Sequence, residues 1–220
     1  SRMNRSEEDY VKAVYEFTRR TENDVIRTNM LADHFGYTDQ SVNEMVNRLA
    51  KKGLLVFYPY KGVALTEEGR KEAIRMIRSH RIWEVFLAET LNMPVNRVHE
   101  EAERLEHATS EDVVNALYAF LGRPERCQYG NPIPDASGNV TVPDDIPLSE
   151  CRKGDVFVLE RISDSRELIG FLTEKEIRLG DRFTVTSTDP FNNLLELKRH
   201  DERLVVAMKT ARLLYGTIHA

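Results

Sequence analysis

The hydrophobic period of this chain changes once along its length, and that change limits the folds open to it. Up to Leu121, apolar residues recur mostly at i, i+3, i+4 and i+7, the spacing of helices with one buried face. From Pro147 onward they alternate, as in half-buried strands. Between the two lies a stretch holding Pro124, Pro132, Pro134, Pro143, Gly130 and Gly138, which reads as linker and loop. A mostly α chain with a small β part at its end is expected. The 220 residues suffice for one or two domains, or three small ones. The expected divisions are 1–75, 76–142 and 143–220.

At the start, Ser6 reads as a helix cap, with Glu7, Glu8 and Asp9 filling a first turn and Val11, Val14, Tyr15 and Thr18 facing inward. On local grounds Asp9 need only complement the helix dipole. A short helix over 27–35 turns Met30, Leu31 and Phe35 inward and is broken by Gly36-Tyr37. A third helix over 39–52, capped by Thr38 or Asp39, buries Val42, Met45, Val46 and Leu49. Its other face is polar. Two short strands, 54–58 and 62–66, follow with a turn at Pro59-Tyr60-Lys61-Gly62. This is the pattern of a winged helix-turn-helix. A winged helix can serve without nucleic acid, but the polar outer face favours DNA. Gln40, Ser41, Asn43 and Glu44 are placed for base edges and Arg27, Thr28, Arg48, Lys51 and Lys61 for phosphates, with Thr38 a further DNA-contact candidate. The net charge of −5 does not exclude this, because residues 1–75 carry +1 and the acidic excess lies beyond them.

Thr66 caps a long helix expected over 67–91, on which His80 and Glu84 stand one turn apart. A helix over 95–108 contains the run from His99 to His107, with four carboxylates and two imidazoles in nine residues. Val98, Ala102 and Leu105 form its apolar stripe, and Glu103, Glu106 and His107 can converge beside it. Such donors suit Mn²⁺ or Fe²⁺. Taken alone, the run reads first as a solvated acidic face, with Glu100, Glu101 and Arg104 as surface charge. Ser110 caps a further helix whose apolar face (Val113, Val114, Leu117, Tyr118, Leu121) is too rich for one small domain and suggests a homodimer. The β part is expected as strands over 155–162, 182–186, 194–197 and 203–208, a short helix over 167–174, and a last helix from Met208.

No apolar run approaches the roughly 20 residues of a membrane span, and no signal peptide is evident, so a cytoplasmic chain without membrane contact is expected. Cys127 and Cys151 form no disulfide framework. Cys127 is either inert in a core or a soft metal ligand. Ser1-Arg2 ahead of Met3 reads as a cloning remnant.

Winged helix, acidic-histidine helices and small barrel together resemble the diphtheria-toxin-repressor family of metal-dependent transcriptional regulators. The resemblance spans the chain. It rests on Glu8-Asp9-Tyr10, the run from His80 to Leu87, the run from Val98 to His107, Gly130-Asn131-Pro132-Ile133-Pro134 and Ile177-Arg178-Leu179-Gly180-Asp181. It implies a helical dimerisation and metal-binding domain after the winged helix, and an SH3-like β-barrel after that. It also implies a primary metal site of Asp9, Glu103, Glu106 and His107. Iron-sensing members usually carry methionine and cysteine where Asp9 and Glu103 stand, so the resemblance points to Mn²⁺, with Fe²⁺ as the alternative. Lys12 stands where the simplest manganese members have a glutamate for a second ion, which argues against a two-metal cluster. An ancillary site of His80, Glu84 and His99 is implied, completed by Asp164 and, through a departed Cys-Pro-His-Gly motif, by Cys127. His34, His200 and His219 match nothing.

The expected function is a homodimeric repressor that binds palindromic operator DNA when Mn²⁺ is bound and controls metal-uptake genes. Two rivals are a DNA-binding protein with purely structural metal and a metallohydrolase. Against the second, the ligands would saturate the ion and no separate base or nucleophile is evident.

Overall fold

The computed structural model describes residues 3–19 and 24–219. Ser1 and Arg2 lie outside them. The chain divides into two compact units. One takes the chain to His80, with Glu106–Thr109 and Pro134–Asn139; the other takes Arg81–Leu105, Ser110–Ile133 and the chain from Val140.

In the first unit, α1 spans Arg5–Thr18. Its cap is Asn4, not Ser6: the Asn4 side chain accepts from the Glu7 amide at 3.0 Å, and its extended backbone leaves Ser6 inside the helix. The helix α2 (Thr28–Phe35) ends on Gly36 at φ +69°. Thr38 caps α3 (Asp39–Lys51) by accepting from the Ser41 amide at 3.2 Å. Val42, Val46 and Leu49 are buried, as the periodicity predicts, and Tyr10 of α1 stacks on Phe35 at 4.6 Å. The wing is β1 (Leu55–Tyr58) against β2 (Gly62–Leu65), antiparallel, with Ile26 bridged to Val63. Gly62 sits at φ +134°, and a Cβ there would fall 1.9 Å from the Ile26 carbonyl oxygen, so this crossing needs glycine.

The helix after the wing is shorter than its periodicity suggests. Regular α4 runs Glu67–Val85, and a π-helical turn, Phe86–Thr90, completes it. Thr66 caps it, accepting from the Gly69 amide at 3.0 Å. Then come α5 (Val95–Glu106) and α6 (Glu111–Phe120), the latter capped by Ser110.

In the second unit a six-stranded antiparallel sheet has the order β3-β8-β4-β5-β6-β7. Its strands are β3 (Ile146–Pro147), β4 (Val156–Ile162), β5 (Arg182–Asp189), β6 (Leu194–Arg199), β7 (Glu202–Ala207) and β8 (Leu214–His219). The helix α7 spans Arg166–Glu174. The last helix, α8, is only Met208–Ala211. Leu214–His219 is instead a strand between β3 and β4, a placement set by long-range pairing with Val156–Ile162.

The proline-containing stretch also departs from expectation. Cys127 and residues 129–134 are buried, and Gln128 is half-buried. In the second unit, Arg81 Nη1 donates to the Pro132 carbonyl at 2.6 Å, and Asn131 Nδ2 to the Ile162 carbonyl at 2.9 Å. Cys127, Tyr129 and Ile133 share one core with Ile82, Val85, Val114 and the barrel residues Phe157, Leu159 and Val185. Pro132 and Pro134, both buried, carry no backbone N–H that would need a partner there. Among the described residues no helix is long and apolar enough to cross a membrane.

Candidate metal centre

In the first unit, α1 presents Glu8, Asp9 and Lys12, and the C-terminal end of α5 supplies Glu106 followed by His107. His107 Nε2 lies 3.0 Å from Asp9 Oδ1 and 3.4 Å from Glu106 Oε1, while its Nδ1 lies 3.2 Å from Glu8 Oε2. Ligand atoms of Asp9, Glu106 and His107 all fall within 4.8 Å of one another. Two carboxylate oxygens and an imidazole nitrogen at this spacing fit a hard or borderline divalent ion. Glu106 is almost fully buried and is surrounded by nitrogen. Lys12 Nζ donates to its two oxygens at 3.0 and 3.2 Å, and His80 Nδ1 lies 2.7 Å from Oε2.

The charges follow from this geometry. Burial pushes the Glu106 carboxyl upward, but the Lys12 and His80 charges and their hydrogen bonds outweigh it and lower the pKa to about 2. Burial pulls the His107 imidazolium downward. Hydrogen bonds to Asp9 and Glu8 and the Glu106 charge outweigh that and raise it to about 9. With no metal present, a proton on His107 and the ammonium of Lys12 neutralise the carboxylates, so an incoming ion must displace that proton.

Of the other expected metal residues, His80 belongs to the first unit and Glu84, His99, Glu103, Cys127 and Asp164 to the second. Glu103 belongs to the second unit, where its Oε1 is 3.3 Å from His99 Nε2. His99 Nδ1 contacts Asp164 in the same unit. Glu84 and Cys127 are buried there together, and burial, then the Glu84 charge, pushes the Cys127 thiol up to about 12. A neutral thiol results. His80 Nδ1 meets Glu106 Oε2 within the first unit. Sequence reasoning assigned no site role to Glu8. Its only local signal was a second carboxylate beside Asp9, and its pairing with residue 107 is tertiary.

The expected DNA face is open. Arg27, Thr38, Gln40, Ser41, Asn43, Glu44, Arg48, Lys51 and Lys61 are exposed, and Thr28 is half-buried. Gln40 Nε2 donates to Glu44 Oε1 at 3.3 Å, which fixes both at the start of α3. The wing also exposes Phe57, Tyr58 and Tyr60, to which the sequence reading gave no role.

Three family profiles match successive parts of the chain. Residues 2–63 match the N-terminal DNA-binding domain of iron-dependent repressors. Residues 66–135 match their metal-binding and dimerisation domain, and residues 146–217 the FeoA domain. The diphtheria toxin repressor of Corynebacterium glutamicum is 29% identical over 184 residues, covering 79% of this chain and 80% of that protein. A manganese-dependent transcriptional repressor solved in complex with manganese is 30% identical with TM-score 0.83, covering 97% of this chain and 100% of its own. The manganese regulator SloR is also 30% identical, with TM-score 0.86 and coverage of 97% and 98%.

Proposed function

The chain belongs to the diphtheria-toxin-repressor family of metal-dependent DNA-binding transcriptional repressors, and we propose that within it this protein is a manganese-responsive repressor of metal-uptake genes. The observation that carries the reading is the cluster of Asp9, Glu106 and His107, in which a carboxylate stands at position 9 and no sulfur is present. Hard oxygen donors favour Mn²⁺ over softer ions. Glu103 is the proposed fourth ligand. His80, Glu84, His99, Asp164 and Cys127 are proposed for an ancillary site. The buried neutral thiol must lose its proton to serve there, and the close approach of His99 to Asp164 supports that pair as its start.

Residues 1–75 are proposed as the winged-helix DNA-binding domain, 76–142 as the helical dimerisation and metal-binding domain, and 143–220 as the SH3-like domain. The exposed side chains at the start of α3 would read base edges from the major groove, with Arg48, Lys51 and Lys61 on phosphates. A two-fold dimer would carry two such helices to the half-sites of a palindromic operator, about 34 Å apart. A bound ion would supply the positive charge that gathers Asp9, Glu106 and His107. Its effect on DNA binding is a population shift toward the DNA-competent arrangement.

An iron-responsive role is the alternative, favoured by the description of the matching profiles as iron-dependent. The discriminating experiment is operator binding titrated with Mn²⁺, with Fe²⁺ under anaerobic conditions, with Zn²⁺ and with no metal. Activation by Mn²⁺ at lower free concentration than Fe²⁺ supports the reading. Equal response to both sinks the manganese assignment, and equal binding without metal sinks metal control.

A further inference from the structure

We infer that Lys12 is a tethered cation that competes with the metal for Glu106 and thereby sets the ion concentration at which the site fills. The inference rests on the metal site proposed above. Glu106 has 1% of its side chain exposed, and Lys12 17%. Lys12 Nζ reaches both oxygens of that one carboxylate, while His80 takes Oε2 at 2.7 Å and His107 approaches Oε1 at 3.4 Å.

A buried carboxylate without a positive partner is strongly destabilising. Lys12 therefore stabilises the site when it is empty of metal. The same charge acts in the opposite sense once a dication joins Asp9, Glu106 and His107. The ammonium then lies within a few ångströms of a like charge, on the carboxylate that the ion also needs. A group that favours the metal-free site and opposes the filled one weakens binding by linkage. Glu8 and Asp9 face His107.

The test measures Mn²⁺ binding to the full chain by chelator competition, with Lys12→Met, Lys12→Gln and Lys12→Arg. Methionine preserves the length of the stem and removes the charge. Glutamine keeps a donor for Glu106, so the site stays packed if methionine proves disruptive. Circular dichroism checks that each variant is folded. The neutral variants should bind Mn²⁺ roughly tenfold more tightly or better, from removal of one charge at this range, and arginine should stay within about threefold of the parent. Metal-free Lys12→Gln should melt earlier than the parent and gain more from added Mn²⁺. Folded neutral variants that bind Mn²⁺ as the parent does, or more weakly, would show that Lys12 only ties α1 to Glu106, and the inference falls. His107→Ala separates the underlying reading: undiminished Mn²⁺ stoichiometry and affinity in that variant would remove the site itself, and with it this role for Lys12.

Discussion

Lys52 Nζ lies 2.6 Å from Glu7 Oε2, joining the C-cap of α3 to the first turn of α1. Glu7 is 3% exposed at its side chain and Lys52 23%, so the pair is shielded from water on the carboxylate side. Two residues after Glu7 comes Asp9, in contact with His107. One helix thus carries both a proposed metal ligand and the anchor of the proposed recognition helix.

Breaking that pair should uncouple DNA binding from metal binding. Glu7→Gln keeps the shape and a hydrogen-bond acceptor for Lys52 but removes the charge; Lys52→Met removes the partner. Each should cost about 2 kcal/mol of stability, the scale of a charged hydrogen bond that is partly shielded. Mn²⁺ affinity should change little, because neither residue belongs to the cluster of Asp9, Glu106 and His107. Operator affinity in saturating Mn²⁺ should drop by roughly tenfold. Calorimetry with Mn²⁺ and operator binding by fluorescence anisotropy, run on the same samples, decide the matter. A loss confined to metal affinity would place the coupling elsewhere.

The ease with which each part could be read follows from how local its signal is. The stripe of Val42, Val46 and Leu49 announces α3 because helix periodicity is contained within the helix. Clustering of Glu106 and His107 was legible for the same reason. The meeting of His107 with Glu8 and of His80 with Glu106 was not, since 99 and 26 positions separate those partners in sequence. Leu214–His219, beyond the helix expected from Met208, is a strand, and nothing within it reports the strands on either side. The prolines and glycine of residues 127–134 suggest linker, yet Gly130 is there because a Cβ would meet the Glu160 carbonyl oxygen at 2.1 Å. Composition alone does not distinguish a free linker from a buried, tightly packed one.

Metal affinity should rise steeply with pH. His107 in the metal-free protein titrates at about 9, raised from 6.5. Below that value the ion must displace a proton, so apparent affinity should climb by roughly one log unit per pH unit from 6 to 8. The sign for stability is opposite. A histidine whose folded pKa is raised contributes stability that is fully present below 6.5 and lost as pH rises through about 9. Metal-free protein should therefore soften over the range in which Mn²⁺ binds better. Calorimetry in buffers of different ionisation enthalpy would report the proton released at pH 7. An absence of release would mean that His107 is already neutral.

Dimerisation should fail on a single charged substitution in α6. Phe120 is 70% exposed and Val113 50%, and the Phe86 ring meets Phe120 edge-on with centroids 6.4 Å apart. Aromatic surface of this size standing in water suits the proposed dimer. Phe120→Asp should yield a folded monomer on sedimentation, with thermal stability changed little because the ring is not buried within the chain. Operator binding should weaken sharply, since one half-site supplies only part of the contacts. A dimer of undiminished strength would move the interface off α6.

Manganese preference should be written mainly at Asp9 and Glu103. Replacing both, Asp9→Met with Glu103→Cys, keeps the number of donors but softens two of them and removes two negative charges. By ligand softness Mn²⁺ should lose most affinity, while Fe²⁺, Co²⁺ and Ni²⁺ should lose less or gain. Asp9→Ala alone is a different experiment. It leaves Glu106 and His107 in place, so an ion can still be held, but of the two contacts between His107 and α1 it removes the one to Asp9 at 3.0 Å and keeps the one to Glu8 at 3.2 Å. That variant should suffer more in operator binding than in metal affinity. Metal titrations under anaerobic conditions and operator binding on the same protein give both readouts. If the double variant still responds to Mn²⁺ over Fe²⁺ as the parent does, the preference is set elsewhere, and the buried pair of Glu84 and Cys127 becomes the next place to substitute.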